Sequence, residues 1–172
     1  MPFTPFHFGP AIALKALLPS HFSLSVFILS QVLIDLEPLY FMITDDPPLH
    51  RFLHTYAGAG VIFLICVVIG KPVGQIWAKW WNKTVSPGHH SRLHSNDKIP
   101  FKATVIAAFI GAFSHVFLDS TMHSDVHPLA PWSEHNIMLG TIDLLALHFG
   151  LFAVGTVGAF WLVLMVLMNR FK

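Results

Sequence analysis

Charge is what this sequence has least of: only 11% of its 172 residues are Asp, Glu, Lys or Arg, against about 25% in an ordinary soluble domain. With 54% hydrophobic residues, that scarcity excludes the usual soluble classes and points to an integral membrane protein. The net charge of +1 indicates neither a nucleic acid nor an acidic partner. Cysteine is down to Cys66, inside an apolar run, which rules out an intramolecular disulfide and leaves the redox compartment open. No basic n-region or small-residue cleavage site precedes Lys15, so no cleaved signal peptide is expected. Internal repeats and low-complexity segments are also missing. The length allows one membrane domain over residues 1–172, with too little left over for a separate soluble module.

Against these shortages stand twelve histidines. Desolvating an imidazole in a membrane is costly, so they should be concentrated where they act.

The apolar runs predict an all-α, polytopic helical bundle: four spans, a short N-terminal re-entrant or half-depth helix, and an interfacial helix. Residues 7–18 are apolar but make only about 18 Å of helix, too short to span. Residues 22–43 are long enough; Pro38 biases Glu37 away from helical geometry, so this span is expected to loosen at Asp35 and Glu37. A second span is expected from about residue 50 to 70, opening with His50 and His54 at i, i+4, and ended by Lys71-Pro72. Trp77, Trp80 and Trp81 mixed with Lys79 and Lys83 then predict an interfacial helix over 73–83, within a polar segment of about 71–101 on the cytoplasmic side. Residues 86–100 carry His89, His90 and His94 in what reads as a solvated loop. The third span covers about 102–121, and the last runs over 137–168 with Asp143 and His148 near its start.

Nine of the ten Lys and Arg residues fall on one side of this topology, and only Arg51 on the other. Basic residues collect on the cytoplasmic side, so the opposite end, which holds all the acids except Asp97, faces out. Localisation in a bacterial inner membrane, multi-pass, with the polar site toward the outer face, is the expectation.

Counting from the inner ends of the spans at about 1.5 Å per residue places Asp35, His54, His115 and Asp119 roughly 20–26 Å up, in the outer part of a hydrocarbon core about 30 Å thick. His7 reaches about 18 Å if the first helix rises from the same side. His115 and Asp119 lie one helical turn apart, a spacing from which both heads can reach one cation. Several segments thus bring ionisable groups to one level, where they are expensive unless paired or metal-bound. Oxygen and imidazole without thiolate suits a divalent metal, Zn²⁺ first and Mn²⁺ or Fe²⁺ as alternatives. Two carboxylates with three or more histidines suffice for two metals about 3.5–4 Å apart, an arrangement fit for phosphoester hydrolysis by a metal-activated water. Arg51 is the candidate for holding an anionic substrate oxygen. Glu37 is a candidate second ligand, general base, or carboxylate that orients a ligand histidine. His50 also reads as an interfacial, hydrated residue, and His123 and His127 as rim residues beyond the helix end.

The order His7, Asp35, His50-Arg51-x-x-His54-Thr55, Ser114-His115-x-x-x-Asp119 and Pro128-Leu129-Ala130-Pro131-Trp132 resembles a family of bacterial inner-membrane metal-dependent hydrolases with LexA-regulated members. That family is distantly like zinc-dependent phospholipase C and the related single-strand nucleases. The resemblance covers most of the chain in short motifs and implies metal ligation by His7, Asp35, His54, His115 and Asp119. The chain departs from the phospholipase pattern in lacking a second HxxxE helix, since His148 has no acid four residues on, which argues against a full three-zinc centre.

The function expected is a membrane-embedded hydrolase of a lipid or lipid-linked phosphoester, with membrane lipids as partners. The competing reading is a non-catalytic subunit of a larger membrane complex, or a homo-oligomer, using the cluster structurally or to hold a metal or pigment. A transporter is disfavoured, because the inner halves of the spans offer only Ser23, Ser25, Ser30, Gln31 and Thr104 as polar groups.

Overall fold

A computed structural model describes residues 7–84, 95 and 98–168. Five α-helices follow one another: α1 (Phe8–Leu17), α2 (Leu24–Ile43), α3 (Tyr56–Thr84), α4 (Phe101–Met122) and α5 (Leu144–Leu167), with a 3₁₀ turn at Phe52–His54 before α3. No strand occurs among the described residues. Helices α2 to α5 are each long and apolar enough to cross a membrane, and α1 is not, so the chain is a multi-pass helical membrane bundle. Most of the histidine-bearing loop at 86–100 lies outside the described residues.

Three spans form the core around α4, whose packing face is small: Ala103, Ala107, Ala108, Gly111 and Ala112 are all buried. Small faces let helix backbones approach closely. A Cβ on Gly111 would collide with Ser30 Oγ on α2, so this glycine sets the depth at which α2 seats. Phe22, Phe27, Ile34 and Val116 complete the buried cluster. Helix α1 packs on α5, where Gly9 and Gly155 meet with no room for a side chain on either. Its far end is tied down by Lys15, whose Nζ donates to the carbonyls of Pro19 and Phe22 at 2.5 and 3.1 Å. The outer faces of α3 and α5 are large and apolar, with Leu64, Val68, Phe149, Val157 and Phe160 exposed as a lipid-facing surface.

The chain departs from expectation in four places. Pro38 does not loosen α2, which stays helical from Leu24 to Ile43 with Pro38 buried. Nor does Pro72 end a span: α3 continues for 29 residues and takes in the segment expected as a separate interfacial helix. Packing on both sides of Pro72 keeps the two halves in line, since Gly70 seats against Val26 and Gly74 against Ser25 and Ile99. At about 44 Å, α3 exceeds the hydrocarbon thickness, so its exposed Trp77 and Trp80 suit the headgroup level as the last turns of a span.

His50 and His54 do not begin a helix. They lie on the connector before α3, where flanking carboxylates and a carbonyl take up the backbone N–H groups. Glu37 accepts from Arg51 N and Leu53 N, both at 2.9 Å, Asp125 accepts from Leu49 N and His50 N, both at 3.2 Å, and Pro128 O accepts from Tyr56 N at 2.8 Å. Lastly, the final helix starts at Leu144, because the Asp143 carboxylate caps it by accepting from Ala146 N at 2.9 Å. The preceding loop is tied to the end of α4 by Asn136 Nδ2 donating to Ser120 O at 2.8 Å and Gly140 N to Thr121 O at 3.1 Å.

Candidate metal centre

Helix α2 contributes Asp35, the 3₁₀ turn His54, and α4 both His115 and Asp119. One ligand atom from each lies within 4.8 Å of the others, and all four residues are buried. His115 Nε2 is 3.3 Å from Asp35 Oδ1 and 3.2 Å from Asp119 Oδ2; His54 Nε2 is 3.4 Å from the same Asp119 oxygen. His7, at the start of α1, stands on the flank with Nε2 3.4 Å from Asp119 Oδ1, and its ring meets that of His115 edge-on at 5.0 Å between centroids.

The far sides of the two central imidazoles determine what their near sides can do. His54 Nδ1 donates to Glu37 Oε2 at 3.1 Å, and His115 Nδ1 donates to Gln31 Oε1 at 2.9 Å. The Gln31 amide is oriented in turn, because its Nε2 donates to Gly111 O at 2.7 Å. With the proton on Nδ1, each Nε2 presents a lone pair toward the carboxylates. Carboxylate- or carbonyl-backed imidazoles of this kind are the usual outer shell of a metal-bound histidine.

Left as it stands, the centre is unfavourable. The Nε2 atoms of His7, His54 and His115 and the Oδ1 of Asp119 are buried with no hydrogen-bond partner. Unpaired buried polar groups cost about 1–3 kcal/mol each, and two carboxylates in a water-poor site cost more. Protonating the rings would supply donors, but charge-assisted N–H···O bonds settle near 2.7–2.9 Å, shorter than any of the Nε2–carboxylate separations of 3.2–3.4 Å. A divalent cation between them would neutralise Asp35 and Asp119 and satisfy the orphaned Nε2 atoms of His54 and His115, so the residues present fit one. Thiolate is absent from the set, leaving oxygen and imidazole donors that suit several divalent metals.

Glu37 faces His54 Nδ1, and its two oxygens also hold the connector backbone at Arg51 and Leu53. This is the placement of an orienting carboxylate. Arg51 is held at the surface: its guanidinium pairs with Asp46 at 3.0 Å, donates to the carbonyls of Asp46 and Pro48 at 2.8 and 3.0 Å, and stacks 3.6 Å above the Phe41 ring. His127 is partly exposed with its Nδ1 on Glu134 O, and His148 Nδ1 donates to Leu144 O; neither contact joins the cluster.

Two features escaped the sequence reading. Gln31, counted there only as an inner polar residue, backs His115; its position one turn below Asp35 on the same helix face was the available signal. The second is a shallower group, His50, His123 and Asp125, again with ligand atoms within 4.8 Å of one another. His50 belongs to a connector whose path no periodicity foretells. Burial first, and the neighbouring His54 next, hold the His50 ring below the ordinary imidazole pKa against the opposing pull of Asp125. On Asp125, burial pulls upward, but the hydrogen bond and charge of His50 together with the backbone N–H bonds outweigh it and keep the carboxyl below its usual range.

Comparison with protein-family models, with curated proteins and with solved structures finds no match to this chain. The functional reading therefore rests on the site itself.

Proposed function

We propose that this protein is a membrane-embedded, metal-dependent hydrolase acting on a lipid or lipid-linked phosphoester, with zinc as the best-suited metal. The observation that carries the reading is the pair of imidazoles, His54 and His115, whose backed Nδ1 atoms aim unpartnered Nε2 atoms at two buried carboxylates. When bound, a divalent cation supplies a Lewis acid and lowers the pKa of a water. The chain's own part is to hold and orient. Asp35, His54, His115 and Asp119 provide the ligand atoms, Glu37 and Gln31 set the ring orientations, and His7 covers the free oxygen of Asp119. The buried setting keeps bulk water away, so charges there act at close to full strength.

A site between membrane helices is met by substrates that already reside in the bilayer, which supports a lipid or lipid-linked substrate. Arg51 is assigned the role of holding an anionic substrate oxygen: its ion pair with Asp46 is half-exposed, and such pairs contribute only about 0.2–1 kcal/mol, while two carbonyl bonds and the Phe41 ring keep its guanidinium in place. The bacterial inner membrane, with the site toward the outer face, is the location consistent with the distribution of basic residues.

The burial of all four ligands is also what a closed, structural site shows, and it supports the second reading, a non-catalytic subunit of a larger complex. Purified protein assayed with a chromogenic phosphodiester in detergent micelles separates the two. Zinc-dependent turnover that disappears in Asp119→Ala supports the hydrolase. Bound zinc without turnover, together with co-purification of a larger assembly at fixed ratio, supports the subunit. Metal-free wild-type protein after mild purification defeats the hydrolase reading.

A further inference from the structure

We propose that His50, His123 and Asp125 form a second divalent-cation site, separate from the buried one and open on its more exposed side. The three residues come from elements far apart in sequence: His50 from the connector before α3, His123 from the C-terminal cap of α4, and Asp125 from the loop beyond it. Their ligand atoms fall within 4.8 Å of one another.

The arrangement is built. Asp125 Oδ2 accepts the backbone N–H groups of Leu49 and His50 at 3.2 Å each, and His50 Nδ1 lies 2.9 Å from both carboxylate oxygens. The backbone bonds fix the connector, and the ring is set with its Nδ1 beside the carboxylate, so that an unprotonated Nδ1 and an Asp125 oxygen can face one cation. A carboxylate has about four acceptor positions, so Asp125 retains capacity for a cation after these bonds. The His50 and His123 rings lie stacked, 4.6 Å between centroids and 28° between planes, which brings a second imidazole to the same place. His123 is in turn anchored by its backbone N–H on Asp119 O at 2.8 Å.

This group differs from the inner one in how much coordination it leaves free. The inner centre has four buried ligand residues, whereas here there are three, and His123 and Asp125 are only half-buried. Two imidazoles and a carboxylate with an open position is the ligand set of catalytic zinc and of several iron and manganese sites. The His50 and His54 rings are in edge-to-face contact, 4.5 Å between centroids, so the two sites are neighbours across one imidazole pair. The outer site is the one a substrate from outside the bundle meets first, and the one that exchanges its metal more readily.

The test is zinc stoichiometry on the full chain in detergent, equilibrated with Zn²⁺ alone, freed of excess metal and measured by elemental analysis. About two zinc per chain are expected in the wild type and about one in His123→Ala. Asp119→Asn, which strikes only the inner centre, is expected to keep the zinc that His123→Ala loses. One zinc per chain unaffected by His123→Ala overturns the proposal, and so does a second zinc that persists in both His123→Ala and His50→Gln. Loss of both zincs in His123→Ala, with helical content preserved, also overturns it, because the clusters would then be a single centre. Failure of the inner site alone is recognisable as zinc lost in His123→Ala but unchanged in Asp119→Asn.

Discussion

The ring of His115 is aimed by Gln31. Its Nδ1 donates to the Gln31 side-chain oxygen at 2.9 Å, and that amide is held by the carbonyl of Gly111 one turn below His115 on the same helix. Helix α4 thus supplies both the imidazole and, through α2, the group that orients it. Replacing Gln31 with Leu should preserve helical content and weaken zinc affinity by about 10–100-fold, the usual loss on removing an outer-shell partner. Gln31→Glu, which keeps an acceptor, should recover much of that affinity. Competition with a chromophoric chelator measures both, and an unchanged affinity in Gln31→Leu would show that the contact does not position the ring.

Glu37 has two tasks, and they can be separated. Glu37→Gln keeps an oxygen for His54 or for the connector but cannot serve all three donors at once; Glu37→Ala serves none. The alanine variant leaves the N–H groups of Arg51 and Leu53 and the ring N–H of His54 without their acceptor, at about 1–3 kcal/mol for each that stays buried. Thermal melting in detergent should fall clearly for the alanine variant and less for the glutamine variant, and zinc affinity should follow the same order. Loss of zinc with no change in melting would move Glu37 from positioning into direct ligation.

Zinc binding should weaken as pH falls, because protons compete for the Nε2 atoms that the metal needs unprotonated. Acid therefore favours the metal-free form and rising pH restores binding. With two imidazoles competing, the loss approaches about a hundredfold per pH unit on the acid side. Chelator competition between about pH 5 and 8 checks the slope; an affinity flat over that range would remove imidazole from the ligand set.

Helix α1 carries His7 and is pressed against α5 where Gly9 meets the Leu151 carbonyl and Gly155. Gly155→Leu should force the two helices apart at a cost of about 1–3 kcal/mol and withdraw His7 from Asp119. The expected result is a lower melting temperature and faster proteolysis near the N-terminus, with about one zinc still bound at the inner centre because its four ligand residues lie outside α1 and α5. Loss of the inner zinc in this variant would make His7 indispensable to that site.

Much of this protein is legible in its sequence. The apolar runs determined four spanning helices and a short first one, because a bilayer leaves an apolar backbone little choice but to be helical. Residue counts along α2 and α4 placed Asp35, His115 and Asp119 at one depth, since helical rise is uniform and a buried ionisable group demands a partner; His54 joins them from the connector, whose path no count along a helix gives. Only the tertiary structure decided what those residues touch. Gln31 becomes a positioning residue because Gly111 lets α2 seat deeply against α4. His50 meets His123 because Glu37 and Asp125 capture the connector's backbone N–H groups and hold it out of helical geometry. Pro72 stays inside α3 because packing on both sides of it outweighs the hydrogen bond it lacks. Depth along a helix is a local property that the order of residues sets; side-chain partnership across helices depends on packing distances and on loop paths, which only the assembled fold determines.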